Sequence, residues 1–297
     1  MKRIAIIGAN GQLGSALENQ FRATPFNIAL ARRPEVDLAD VASIKGFIAG
    51  CEPSIVINAA AYTAVDNAES DPENAYAVNA SGPAHLAEIC RSLRIPLVHY
   101  STDYVFDGSK SGAYDETDPV SPVGVYGKSK SAGEEKIRAI LPRHIIIRTS
   151  WLYGLHGNNF VKTMLKLGQT HETLRVVSDQ QGCPTFAGDL AAAALQIVGS
   201  VFSGENEIWG TYHYANTGAT SWHGFAAEIF RLAAQIPSYK MACQAIDPIP
   251  TAEYPTPARR PPNSVLDCSK IRKTFGIEIP HWKESLAGVM PEMVSRF

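Results

Sequence analysis

No stretch of the chain approaches the ~20 consecutive apolar residues that a membrane-spanning helix needs. The short run Ile4–Ile7 follows Met1-Lys2-Arg3 as the core of a secretion signal would, but it is far too brief and ends at the glycines between Gly8 and Gly14. Blocks of like charge are missing too, and the formal net charge is -2. Neither nucleic acid nor an anionic membrane therefore has electrostatic support as a partner. Cysteine is sparse and odd in number: five, at positions 51, 90, 183, 243 and 268, with no Cys-x-x-Cys pair and no histidine at metal-ligand spacing. This excludes a disulfide framework and a zinc site, and predicts reduced thiols, no bound metal and a cytoplasmic location. Internal repeats and low-complexity tracts are also absent, which excludes solenoids and disordered tails.

What is present is an alternation of short β-branched runs with amphipathic stretches of helical length. Arg3–Ile7, Asn27–Ala31, Ser54–Asn58, Pro96–Ser101 and His144–Thr149 read as strands. Gln12–Ala23, Val41–Ala49, one long helix within Pro72–Leu93 and a helix from about Tyr126 lie between them. Continuous apolar strands separated by helices predict a parallel sheet covered on both faces, the doubly wound Rossmann-type α/β architecture, with ligands at the carboxyl ends of its strands. Past residue 150 the rhythm loosens. Helices are expected at Phe160–Leu167, Ala187–Val198, Trp222–Ala234 and Trp282–Val294, while the six prolines in Asp247–Pro262 predict largely irregular chain. The expected organisation is a dinucleotide-binding unit over residues 1–150, to which some later segments return, and a smaller α/β substrate unit mainly within 151–297.

Gly8-Ala9-Asn10-Gly11-Gln12-Leu13-Gly14 follows the first strand and opens a helix. Glycines there allow a tight turn and let backbone N–H groups approach a diphosphate at the helix N-terminus. The spacing G-x-x-G-x-x-G points to short-chain reductases rather than to dehydrogenases with G-x-G-x-x-G. About 20 residues on, where an NAD site carries an acid, stand Arg32 and Arg33, which suit a 2′-phosphate and favour NADPH, with NADH as the alternative. Their bland alternative is a solvated loop. Asp37 and Leu38 are candidates to touch the adenine. Ala59, Ala60 and Ala61, after the third strand, are small enough for a cofactor to lie against.

Tyr126 and Lys130 stand four apart at a helix start and so share one face. A nearby ammonium favours tyrosinate, so Lys130 is expected to lower the Tyr126 pKa from ~10 and make it a usable general acid. Tyr-x-x-x-Lys alone is cheap by chance. Thr102, closing the fourth strand, brings a hydroxyl to the same carbonyl and would steady a developing alkoxide.

Together the motifs G-A-N-G-Q-L-G, N-A-A-A-Y-T-A-V-D, H-Y-S-T-D-Y-V-F-D-G, Y-G-K-S-K, R-T-S-W-L-Y and Y-P-T-P-A-R-R-P resemble the dTDP-4-dehydrorhamnose reductase family, from Gly8 to Pro262. The resemblance implies an extended short-chain reductase that makes dTDP-L-rhamnose from dTDP-4-dehydro-L-rhamnose for surface polysaccharides, as a monomer or homodimer. By motif it assigns Gly11, Gln12 and Leu13 to the diphosphate, and Asp37, Leu38, Ala61, Tyr62, Thr63 and Tyr100 to the cofactor. Thr102, Asp103, Trp151, Arg259 and Arg260 go to the sugar nucleotide, Tyr126 is the proton donor, and Lys130 binds ribose. Ala16 stands where some members carry a glutamate linked to Mg2+ and dimerisation, so a metal role is not expected, although Asp189 and Glu292 remain as acids elsewhere. Two rivals stay open. A sugar-nucleotide dehydratase or epimerase shares the framework, but Tyr104 replaces the glutamate of the dehydratases' Thr-Asp-Glu. A non-catalytic NADP-binding regulatory subunit would not need Thr102, Tyr126 and Lys130 together.

Overall fold

The computed structural model describes residues 2–205 and 207–296. In chain order it runs β1 (Arg3–Ile7), α1 (Gln12–Arg22), β2 (Asn27–Ala31), α2 (Val41–Cys51), β3 (Ile55–Asn58), α3 (Val65–Ala68), α4 (Pro72–Tyr76), α5 (Gly82–Leu93), β4 (Leu97–Thr102), α6 (Val125–Ile140) and β5 (His144–Thr149). The second half supplies β6 (Leu152–Tyr153), α7 (Phe160–Gly168), β7 (Thr173–Val177), β8 (Gln181–Gly182), β9 (Thr185–Phe186), α8 (Ala187–Ser203), β10 (Gly210–His213), β11 (Thr220–Ser221), α9 (Trp222–Ala233), β12 (Ala245–Ile249), α10 (Ser269–Phe275) and α11 (Trp282–Val294). Among the described residues no helix is long and apolar enough to cross a membrane.

Six strands form one parallel sheet in the order β10-β5-β4-β3-β1-β2. After β2 the chain returns across β1 to β3, so the direction of winding reverses between β1 and β3. A doubly wound sheet opens its ligand crevice at such a switch point, beyond the carboxyl ends of the strands. The runs Ile4-Ala5-Ile6-Ile7 and Ile55-Val56-Ile57 are buried on both faces, as a helix-covered parallel sheet requires. Alternate residues divide between two cores: Ile4, Ile6, Ile57 and Ile147 meet α1 and α8, while Ala5, Ile7, Val56 and Ile146 meet α2, α5 and α6. Strand β10 and helix α8 come from the second half and join this sheet. A further core gathers α7, α9 and α11 around Leu165, Phe225, Ile229 and Leu286.

One expectation about the elements needs correction. The single helix expected within Pro72–Leu93 is broken by a π turn over Ala77–Ser81. Pro83 has no N–H to donate at the start of α5, and the Asn79 side chain leaves the helix pattern to bond the backbone of Tyr62 and the hydroxyl of Ser129. Asp247–Pro262 is largely irregular, as expected, although Asp247 and Pro248 belong to β12, which pairs with β7 alone. A proline is tolerated on such an edge strand because the missing N–H breaks no central ladder. Strand β10, in the run Gly-Thr-Tyr-His, is too short and mixed to read from pattern.

Candidate active site

A cleft of about 690 Å³ opens at the switch point, lined by Gly8, Asn10 to Leu13, Ala59 to Ala61, Tyr100 to Tyr104, Tyr126, Lys130, Trp151, Trp222 and Arg260 among others. Its floor begins with the glycine loop. Gly8 has φ +82°, and the N–H groups of Gly8 and Ala9 both donate to the Ala31 carbonyl, tying the loop to β2. A Cβ on Gly14 would stand 2.0 Å from the Gly8 oxygen, and one on Gly8 2.7 Å from the Ala60 nitrogen. Only glycine permits this closeness of helix, loop and β3. No side chain caps α1 and no acid occupies its first turn. The N-terminal amides and the positive end of the helix dipole are thus left for an anion.

Arg33 lines the cleft, and its carbonyl lies 3.5 Å from the Asn10 amide nitrogen. Arg32 does not line it: its guanidinium pairs at 2.6 Å with Glu18 on α1. Asp37 also lies outside, accepting from Arg33 at 3.1 Å and from the Ala39 N–H at 2.9 Å, whereas Leu38 reaches the cleft wall. Thr63 lines the cleft; the Tyr62 hydroxyl turns away to Asp71.

At the inner end, α6 packs so tightly on the turn after β4 that a Cβ on Gly127 would stand 2.1 Å from the Tyr104 carbonyl. This approach sets Tyr126 beside Thr102, with the Tyr104 ring edge-on to it at 6.0 Å. Thr102 Oγ1 accepts the Tyr104 N–H at 3.2 Å and donates to Asp103 Oδ1 at 2.9 Å. The other carboxylate oxygen of Asp103 is buried near Ser264, whose hydroxyl donates to the Gln181 carbonyl instead. Burial drives the Asp103 pKa up to about 7, because the cavity solvates its charged form poorly.

Lys130 is 1% exposed; its Nζ donates to the Tyr100 carbonyl at 2.6 Å and lies 3.3 Å from His99 Nε2. Burial brings its pKa down to about 8, with Glu134 pulling the other way. The expected lowering of the Tyr126 pKa by Lys130 is not found. Burial pushes Tyr126 up to about 12, the Thr102 hydroxyl opposes this, the Asp103 charge adds to it, and Lys130 has no part. The lysine faces the interior instead of the phenol.

Trp151 has φ +44° and lies flat on Trp222, ring centroids 3.6 Å apart. Gly182 packs close against the Trp151 indole, where a Cβ would stand 2.4 Å from the ring. Arg260 reaches the cleft while its guanidinium pairs with Asp66 at 3.0 Å; Arg259 does not line it. Among the acids named for a metal, Asp189 binds Asn216 and Ser285, Glu292 pairs with Arg296, and Ala16 packs against the core.

A family model described as the RmlD substrate binding domain matches residues 1–295. A dTDP-4-dehydrorhamnose reductase from Sinorhizobium fredii is 44% identical over 95% of each chain. The crystal structure of a dTDP-4-dehydrorhamnose reductase from Clostridium acetobutylicum superposes with a TM-score of 0.89 at 40% identity, over 96% of this chain and 97% of that one. The corresponding enzyme of Bacillus anthracis, solved in complex with NADP, gives 0.87 at 36% identity over 100% and 99%. The chain belongs to the dTDP-4-dehydrorhamnose reductase family.

Membership gives the cleft a context that motif reading had only outlined. Three lining or supporting residues escaped that reading. Trp222 stands in none of the motifs. Asn159, past the β6 loop, donates to the Gln12 side chain at 3.1 Å and so joins the second core to the glycine loop. His99 lies inside the H-Y-S-T-D motif, but its partner Asn58 is 41 residues away, and only the pairing of β3 with β4 brings them together.

Proposed function

We propose that this chain reduces dTDP-4-dehydro-L-rhamnose to dTDP-L-rhamnose, with NADPH as hydride donor and Tyr126 as proton donor. The observation that carries the reading is one continuous cleft with a phosphate-accepting glycine loop at one end and Tyr126, Thr102 and Lys130 at the other. The names of its relatives agree with it. Residues 1–150, with α8 and β10, form the cofactor unit in this reading, and the core around α7, α9 and α11 carries the sugar nucleotide.

The residues fit a dinucleotide. Gly8 and Gly14 leave no room for a Cβ, and the uncapped start of α1 offers the Gln12 and Leu13 amides to a diphosphate, while the Gly11 N–H closes the loop onto the Gly8 carbonyl. Arg33, which lines the cleft while Arg32 does not, serves the 2′-phosphate and exchanges Asp37 for it. When bound, NADPH supplies the hydride that adds to C4 of the sugar.

The chain's own groups do the rest. The Tyr126 hydroxyl protonates the C4 oxygen as its negative charge grows, so the ketone becomes an alcohol and the phenolate regains its proton from solvent through the cleft. The buried tyrosine holds its proton firmly in the resting site, so it is fully loaded at neutral pH. Thr102 orients the carbonyl, Asp103 receives a sugar hydroxyl on its unpartnered oxygen, and Arg260 faces the diphosphate of the nucleotide. The stacked pair Trp151 and Trp222 forms the wall of the cleft that meets the pyranose or thymine.

The test is oxidation of NADPH and of NADH by the purified protein with dTDP-4-dehydro-L-rhamnose generated in situ. Oxidation that requires the sugar and yields dTDP-L-rhamnose supports the reading and ranks the cofactors. Binding of NADPH without oxidation rejects this substrate, and turnover with no net loss of NADPH favours an epimerase or dehydratase.

A further inference from the structure

Behind the cleft, Lys130 rests on a buried polar pair that the reduction itself does not use. His99 is 0% exposed, and its Nδ1 lies 3.0 Å from the Asn58 side-chain nitrogen. The Asn58 amide is not free to turn, because its oxygen accepts the Ala60 N–H at 3.1 Å. Its NH2 group therefore faces His99. An NH2 group offers no lone pair, so Nδ1 must be the acceptor, and a neutral imidazole then carries its single proton on Nε2. His99 is neutral here, since burial and then the charge of Lys130 hold its pKa well below the usual value. The Nε2–H consequently points at Lys130 Nζ, 3.3 Å away.

Facing an ammonium, that N–H sets donor against donor. Facing an amine, it finds a lone pair, and Nζ still donates to the Tyr100 carbonyl. We propose that Asn58 and His99 are positioning residues that weaken the ammonium form of Lys130 by presenting it an N–H where a lone pair would favour the charge. The ionisable groups that act on the lysine are Glu134, one turn on along α6, and His99 on β4, with Tyr126 one turn back on α6. Of these Glu134 alone favours the charged lysine, and Arg148 and Arg138 already hold its carboxylate in ion pairs. No charged group of α3, α4 or α5 acts on Lys130.

Two consequences follow for the site. With the ammonium form weakened, the firmly held proton of Tyr126, in which Lys130 has no part, keeps the high pKa that burial gives it. The inner route for protons is also closed. His99 can accept from Lys130 only if Asn58 releases Ala60, so the lysine exchanges protons through the cleft alone.

The inference rests on Lys130 belonging to the reducing site, but its test needs no turnover, so failure of the substrate assay leaves it intact. The full-length protein would be labelled with [ε-13C]lysine and [15N]histidine, with Lys130→Met identifying the lysine signal. The native chain is expected to show His99 protonated on Nε2 and not on Nδ1, and Lys130 titrating well below the surface lysines. His99→Gln, whose amide can turn its oxygen to Nζ, should raise the Lys130 midpoint by about one unit, a tenfold gain in proton affinity. Asn58→Asp, which draws the proton to Nδ1 and leaves Nε2 a lone pair, should do the same. A proton on Nδ1, a Lys130 midpoint among the surface lysines, or a low midpoint unmoved in both variants would overturn the proposal. The native measurements decide it even where a variant fails to fold.

Discussion

The Trp151 indole lies on that of Trp222 with planes 8° apart, and the two rings come from distant parts of the chain: the turn after β5 and the first residue of α9. A stacked aromatic pair contributes about 0.5–1.5 kcal/mol beyond the area it buries. Trp222→Ala should therefore raise KM for the sugar nucleotide about threefold to tenfold, leaving KM for NADPH unchanged. Steady-state kinetics with each substrate varied in turn checks this. An unaltered sugar KM would remove Trp222 from the substrate site.

Removing the phenolic proton isolates its chemistry from the fold. Tyr126→Phe should retain NADPH binding, read by fluorescence titration, and lose about 10²–10⁴ in kcat. Activity within a factor of two or so of the parent would end the proton-donor role.

Arg32 and Arg33 look alike in the sequence and separate in the structure. Arg33→Ala should raise KM for NADPH about 10- to 100-fold and barely change that for NADH, the loss of one charge-assisted phosphate contact. Arg32→Ala should leave the NADPH-to-NADH ratio as it is, because its guanidinium is held by Glu18. Equal effects of the two substitutions would show that the arginines act together.

Asp103 makes folding depend on pH. Its pKa rises from the usual carboxylate value to about 7 on burial, so the folded chain holds a proton that the unfolded chain releases above ~4. The associated stability is complete below ~4 and is lost as pH rises toward ~7. Asp103→Asn mimics the protonated form, and should raise Tm above pH ~7 by the equivalent of about 2–4 kcal/mol while changing it little near pH ~4. The same shift of Tm at both pH values would mean that the carboxyl charge is not the cause.

Gly14→Ala tests the loop. With 2.0 Å between the new Cβ and the Gly8 oxygen, α1 must move off the loop. Expected outcomes are a loss of about 1–3 kcal/mol in stability and loss of NADPH binding, seen by thermal melting and titration. Retention of both would show that the helix has slack.

The sheet was the most legible part of the chain, for a physical reason. Strands covered on both faces need continuous apolar runs, and I-A-I-I, I-V-I-N and H-I-I-I-R-T are that requirement written out. Gly8 to Gly14, Thr102, Tyr126 and Lys130 were legible because each sits at a strand end or helix start, where spacing fixes place. What escaped depends on packing between distant segments. The direction of Lys130 is set by His99 and Tyr100, the separation of Arg32 from Arg33 by Glu18 one helix away, and the π turn by contacts of Asn79 with Tyr62 and Ser129. None of these leaves a periodicity in its own segment.

Helix α8 gives one face of the nucleotide sheet much of its cover, through Leu190, Ala194 and Ile197 against α1 and the strands, and Tyr212 of β10 completes that core. A chain leaving the ribosome has therefore made all five earlier strands long before their outer surface can be closed. The sheet must wait for the second half with oily residues bare. A fragment stopped after Ser150 is expected to aggregate, and the core beneath α8 to mature only in a late event, after the core under α2, α5 and α6 can already close.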